Sequence, residues 1–308
     1  MYNEITSNKR KSILLASLFI AVIIALGYVF DLTYGGGRSY GGVILAVFLS
    51  FGLTAISYFQ GDKIALLTTG AKPLEHDENQ RVYHLVENLC IASGAPMPKV
   101  YIIEDQAINA FATGRKPEVA SIALTRGAME KLTDNELEGV IAHELSHIKN
   151  YDIRFMMLVA VMVGSISILA NILLRSGGLT RGKGGNDREG GSQLFAILMI
   201  VGIVLAILSP FIAELIKLAI SRRREFLADA SGALLTRYPE GLARALEKIS
   251  VEAQPMKNAS SATAHLFIAS PFSAKSFSKL FSTHPPVEER IEKLRTMGYK
   301  TPHVANSP

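Results

Sequence analysis

The chain has 308 residues, 49% of them hydrophobic, with one cysteine, no tryptophan and a formal net charge of +5 at pH 7. A mean hydropathy of +0.26 beside 19% charged residues is too apolar for an ordinary soluble domain and too charged for a bundle lying wholly in lipid, so membrane segments and a water-facing domain are expected together. The lone Cys90 excludes an internal disulfide and a cysteine-based metal cluster and fits a reducing compartment, and the basic excess resides in Lys and Arg flanking apolar runs, so no nucleic-acid partner is expected.

In chain order, residues 13–30 and 42–59 are apolar runs long enough to cross a hydrocarbon core. The first follows Lys9, Arg10 and Lys11. Its length and the closely following second run favour a retained anchor over a cleaved signal, and the basic cluster puts the N-terminus in the cytoplasm. Residues 1–60 therefore read as a membrane anchor of two transmembrane helices, and residues 61–152 as the first part of a cytoplasmic domain. Within it, an amphipathic helix over 79–93 is closed by Gly94, and 100–103, 108–113 and 121–125 read as short strands. An extended chain can bind as an added strand at a sheet edge, which singles out Asn109, Ala110, Phe111 and Ala112 as candidate substrate-binding residues. Asn109 could bond a substrate backbone, or be a turn residue ahead of an ordinary strand.

The next helix carries the most informative residues. Thr133 and Glu136 form a Thr-x-x-Glu capping box, after which Leu137, Val140, Ile141, Leu145 and Ile148 repeat at helical spacing. His143, Glu144 and His147 spell HExxH inside that helix. Two histidines four apart share a helix face, so both imidazoles can reach one Zn²⁺, while the glutamate between them can serve the attacking water as general base. A catalytic zinc site takes three protein ligands. Asn150 and Ile153 stand where the extended motif needs Gly and His, so the third ligand lies elsewhere. Glu225 is the candidate, with Asp229 four residues on, the latter placed to hold a ligating imidazole. The alternative is that both carboxylates pair with Arg222, Arg223 or Arg224 as solvated charges.

Between these helices, residues 153–220 hold two further apolar runs, 155–174 and 194–213, around a loop with seven glycines over 175–192. Two crossings, or a hairpin that does not cross, would each return Glu225 to the side of His143. Residues 221–308 complete the water-facing domain, with helices over 239–249 and 286–297 and a Ser/Ala-rich stretch over 259–274 that reads as a mobile flap. His284, ahead of Pro285 and Pro286, is either a donor to the oxyanion of the tetrahedral intermediate or a turn residue before a helix. His76, His84, His265 and His303 read as surface or structural. The expected fold class is α+β, a zincin-like (gluzincin) domain with helical transmembrane segments.

Asn109 through Gly114, the HELSH run, Glu225 to Asp229 and Thr283-His284-Pro285-Pro286, together with the apolar pairs, resemble the HtpX membrane metalloproteases. These are bacterial heat-shock quality-control enzymes related to CAAX prenyl endopeptidases. The resemblance implies one Zn²⁺ per chain bound by His143, His147 and Glu225, Glu144 as general base, and His284 and Asn109 near the substrate. It also implies a multi-pass protein of the bacterial inner membrane, in contact with the lipid bilayer, that cleaves misfolded or damaged membrane proteins on the cytoplasmic side as a stress response. The rival from another class is a membrane scaffold or partner-binding protein that keeps the zincin fold without chemistry; intact HExxH and Glu225 count against it. An intramembrane protease is disfavoured by Glu136, Glu138, Lys149 and Asn150 around the motif.

Overall fold

The structure, a computed structural model, describes residues 2–34, 40–164, 221–252, 254–258, 260, 262–272 and 285–298. The Gly-rich loop, the fourth apolar run, the second half of the third, His284 and His303 lie outside them.

The chain begins with two long helices, α1 (Tyr2–Tyr34) and α2 (Gly41–Thr68), packed side by side. Asp31 joins them: its carboxylate oxygens accept from the backbone N–H of Gly42 at 2.8 Å and Val43 at 2.9 Å, satisfying orphan donors at the start of α2 where a negative charge is also favoured. Among the described residues α2 is the one helix long and apolar enough to cross a bilayer. Ile44, Leu45, Phe48 and Phe51 on α2 are each more than half exposed, as are Ile13 and Leu14 on α1. Exposed large apolar side chains in such number mark a surface for a membrane or another protein.

Beyond the hairpin lies a four-stranded mixed sheet with strands β1 (Ala71–Pro73), β2 (Lys99–Ile103), β3 (Ala110–Thr113) and β4 (Ser121–Thr125) in the order β1-β2-β4-β3. β2 and β4 run parallel, and the other pairings are antiparallel. The helices between are α3 (Gln80–Ser93), which ends on Gly94 at φ 65°, and the short α4 (Arg126–Lys131). β2, β3 and β4 lie where the residue pattern puts them. β1 has three residues and ends in proline, too little for a periodic signal. β3 and β4 are buried along their whole length because both sheet faces are covered. Ala110, Ala112, Ile122 and Leu124 face a core shared with α3 and the motif helix. Phe111 and Ala123 face Phe267, Met156 and Ala160 on the other side.

The motif helix α5 (Asp134–Lys149) starts at the expected capping box, with Glu136 Oε2 accepting from the Thr133 N–H at 2.8 Å. Its apolar stripe, Leu137, Val140, Ile141, Leu145 and Ile148, is at most 1% exposed. A turn leads into α6, described over residues 152–164. The start of the third apolar run is thereby inside the protein: Phe155, Leu158, Val159, Met162 and Val163 pack on Leu15 and Phe19 of α1. The remaining helices are α7 (Arg222–Thr236), α8 (Pro239–Glu252) and α9 (Val287–Gly298).

α7 and α8 both cross α5, and glycine permits each approach. A Cβ on Gly232 would lie 3.1 Å from the backbone nitrogen of His143, and one on Gly139 would lie 2.7 Å from the nitrogen of Leu242. Backbone cannot yield as a flexible side chain can. Gly139→Ala is therefore expected to cost about 1–3 kcal/mol, read as a lower thermal unfolding midpoint of the full chain in detergent; an unchanged midpoint would contradict this packing.

Candidate metal centre

The Gly232 crossing brings Glu225 on α7 over the HExxH face of α5. His143 Nε2 and His147 Nε2 lie 3.2 Å apart. Glu225 Oε2 is 3.9 Å from the first, and its Oε1 is 3.6 Å from the second. All three residues are buried. Ligands about 2.0–2.1 Å from a tetrahedral ion stand roughly 3.3 Å apart, so the three donors fit a four-coordinate divalent cation with one position left open.

The outer nitrogens of the two imidazoles meet carboxylates. His147 Nδ1 is 3.0 Å from Asp152 Oδ2. His143 Nδ1 is 2.9 Å from Asp229 Oδ1, in a bent contact that leaves the ring nitrogen outside good hydrogen-bond geometry. A proton on each Nδ1, facing these carboxylates, would leave both Nε2 atoms as lone pairs, which is the tautomer a metal ligand requires. Asp229 is itself fixed: Arg290 on α9 donates to it twice, from Nε to Oδ2 at 2.8 Å and from Nη2 to Oδ1 at 2.7 Å. Burial disfavours the Asp229 anion, but the Arg290 guanidinium outweighs it and holds the carboxyl below its ordinary value. Burial dominates at His143 and lowers its pKa, whereas at His147 Asp152 and Glu225 overcome burial and raise it to about 9. A cation at the Nε2 atoms would take the place of that proton.

Glu144 is 1% exposed. Burial, with the Glu225 carboxylate, pushes its pKa up to about 7 against the opposing charge of His147. Its Oε2 is buried with no hydrogen-bond partner. A carboxyl poised near neutral pH, with an unsatisfied oxygen beside the three converging donors, is arranged to accept a proton from a water at the open position.

Asn109 through Ala112, expected to bind substrate as a sheet edge, are buried. β3 is the sheet edge, but Phe267 and Ile268 already pair with it: Phe267 bridges Phe111, and the Ile268 N–H donates to the Ala110 carbonyl at 2.9 Å. Asn109 does bond a backbone, that of Ala269, by Nδ2 to its oxygen at 3.1 Å and by Oδ1 from its nitrogen at 3.4 Å. The stretch read as a mobile flap thus includes an ordered buried piece. His265, read as surface or structural, is structural, with Nε2 3.0 Å from the Met156 carbonyl.

Sequence reasoning missed three groups at the site. Asp152 lies just past the motif helix and is turned back to His147 by Tyr151, whose φ is 61°. Arg290 looks like any charge on an amphipathic helix, yet it is 2% exposed. Arg224 follows the exposed Arg222 and Arg223, yet it is buried with Nε 3.7 Å from Asp152 Oδ1. Glu225 and Asp229 are buried and face His143 and His147.

Comparison with known proteins agrees with this geometry. The model of a family described as peptidase family M48 matches residues 76–298, which include every group described at the metal centre. The chain belongs to peptidase family M48. Among relatives, the protease HtpX homolog of Caldanaerobacter subterraneus subsp. tengcongensis is 43% identical over 298 residues, covering 96% of this chain and 98% of that protein. The protease HtpX homolog of Dictyoglomus turgidum is 44% identical over 297 residues, covering 96% and 95%. A crystal structure of S. mikatae Ste24p superposes with a TM-score of 0.50 at 21% identity, covering 96% of this chain and 67% of that one, a likeness of fold. The M48 chain described here is a metalloprotease, and its His143, His147 and Glu225 form a cluster that could hold a metal ion.

Proposed function

We propose that this M48 protein is a multi-pass membrane zinc endopeptidase of gluzincin type that cleaves misfolded or damaged membrane proteins on the cytoplasmic side. The observation that carries this reading is the convergence of two imidazole nitrogens and a carboxylate beside the unpartnered Glu144 oxygen, in a chain whose first two helices carry an apolar face for lipid. His143, His147 and Glu225 would hold one zinc, with Asp229 and Asp152 fixing the imidazoles. Zinc, when bound, supplies Lewis acidity and acidifies water. Glu144 takes the proton of the attacking water and returns it to the leaving amine. His284 is assigned to the oxyanion side.

Lys9, Arg10 and Lys11 favour a cytoplasmic N-terminus. The catalytic domain is then assembled from residues 61–152 and 221–308 around the apolar runs between them. Asn109 through Ala112 are the substrate-binding strand, and an incoming chain would take the Ala110 carbonyl from Ile268. Extended and unfolded segments, which expose free backbone N–H groups, suit that exchange better than folded domains do.

The test is reconstitution of the full chain in liposomes with a membrane protein in native and destabilised forms. Cleavage of the destabilised form, at sites in its cytoplasmic loops, is expected. It should stop after dialysis against a zinc chelator and return with about one equivalent of Zn²⁺. Equal cleavage of both forms, or cleavage indifferent to the chelator, would contradict the proposal.

A further inference from the structure

Asn8 lies on α1 near the start of the apolar run, over 140 residues before Asp152, yet it is 1% exposed and its side chain reaches the metal centre's support. Its Nδ2 donates to Asp152 Oδ1 at 2.6 Å and to the Asn150 carbonyl at 2.9 Å. These two acceptors flank Tyr151, the residue held at φ 61°. A left-handed conformation is costly for a bulky residue and persists only where the surroundings over-determine it. Asn8 clasps both sides of that turn. Lys9 adds a third hold, its ammonium standing 4.4 Å over the Tyr151 ring. The turn in its bent form delivers Asp152 to His147 Nδ1.

The amide orientation follows from its partners. Both are oxygen acceptors, so only the NH₂ group can face them, and Asn8 Oδ1 is left buried with no hydrogen-bond partner. An unsatisfied buried acceptor is costly, and a hydrophobic residue would avoid that cost if the position merely filled space.

We infer that Asn8, on the N-terminal helix α1, is a positioning residue of the metal centre, acting through Asp152 to orient His147. This rests on the proposed binding of zinc by His143, His147 and Glu225. It makes the seat of α1 against α6 part of the metal site: a helix displaced along its axis carries Asn8 away from Asp152 and loosens one ligand.

The experiment measures zinc release from the full chain, purified in detergent with its metal, into excess colorimetric chelator. Asp152→Asn is expected to release zinc about 10–100 times faster than wild type, as loss of a carboxylate behind a ligating histidine does. Asn8→Leu, one bond further out, should release it roughly 3–10 times faster, and the double variant little faster than Asp152→Asn alone, because both act along one path. Cobalt in place of zinc gives a second readout. Asn8→Leu should shift the visible absorption bands of the cobalt protein, which a role confined to helix packing would not do. If Asn8→Leu does not fold, Asn8→Ser replaces it with the same expected shift. Wild-type release and an unshifted cobalt spectrum would overturn the inference, as would effects of Asn8→Leu and Asp152→Asn that simply multiply. A wild-type chain without zinc would overturn the metal reading and this inference with it; a wild-type chain with zinc and an indifferent Asn8 variant overturns the inference alone.

Discussion

Glu144→Gln is expected to lower the turnover of casein or a peptide by about 10²–10⁴-fold while zinc content stays at that of wild type. Gln has nearly the shape of Glu, so packing around this buried position persists and only the proton-accepting carboxylate is lost. The same substitution removes a carboxyl whose charged form is disfavoured by burial and by Glu225, so the thermal unfolding midpoint should hold or rise. Loss of turnover with a steady midpoint and steady zinc separates a chemical role from a structural one. Normal turnover would show that another group is the base.

Arg290→Met carries the largest expected effect on stability. Arg290, Asp229 and His143 form a buried row in which the guanidinium makes two hydrogen bonds to the carboxylate, reaches the Ile268 carbonyl at 3.2 Å and lies 3.8 Å from Glu225. Removing the cation leaves Asp229 buried without compensation, which costs about 3–5 kcal/mol. Zinc affinity should fall with it by about 10–100-fold, since His143 loses its oriented partner. Arg290→Lys is expected to rescue little, because an ammonium cannot reproduce the two-pronged geometry. The double variant Arg290→Met with Asp229→Leu should be more stable than Arg290→Met alone, as no charge is then stranded. Thermal unfolding and metal analysis of the three proteins check this, and a double variant no better than the single one would show that the ion pair is not what is lost.

Much of the centre was legible because metal chemistry demands residues at fixed spacing. His143 and His147 must lie four apart on a helix, and the capping box at Thr133 with the stripe from Leu137 to Ile148 marked that helix independently of the metal. Glu225 and Asp229 were legible as a pair for the same reason. Asp152, Asn8 and Arg290 were not, because their roles depend on tertiary approach: a left-handed turn at Tyr151, the N-terminal helix packing back on the residues after the motif, and α9 packing against α7 and α8. An arginine on an amphipathic pattern reads as solvent-facing until its carboxylate is located. The strand edge follows the same logic. Asn109 through Ala112 are marked as a strand by their own residues, but Ile268 pairs with that edge through backbone atoms, which leave no trace in residue type.

We propose that one zinc is held by His143, His147 and Glu225. The most direct test is X-ray absorption at the zinc edge on the full chain purified in detergent. The expected result is about one zinc per chain with only nitrogen and oxygen neighbours at about 2.0–2.1 Å, two of them imidazoles, and one imidazole fewer together with lower zinc content in His147→Ala. A sulfur neighbour, three imidazoles, or a spectrum unchanged in His147→Ala would contradict it.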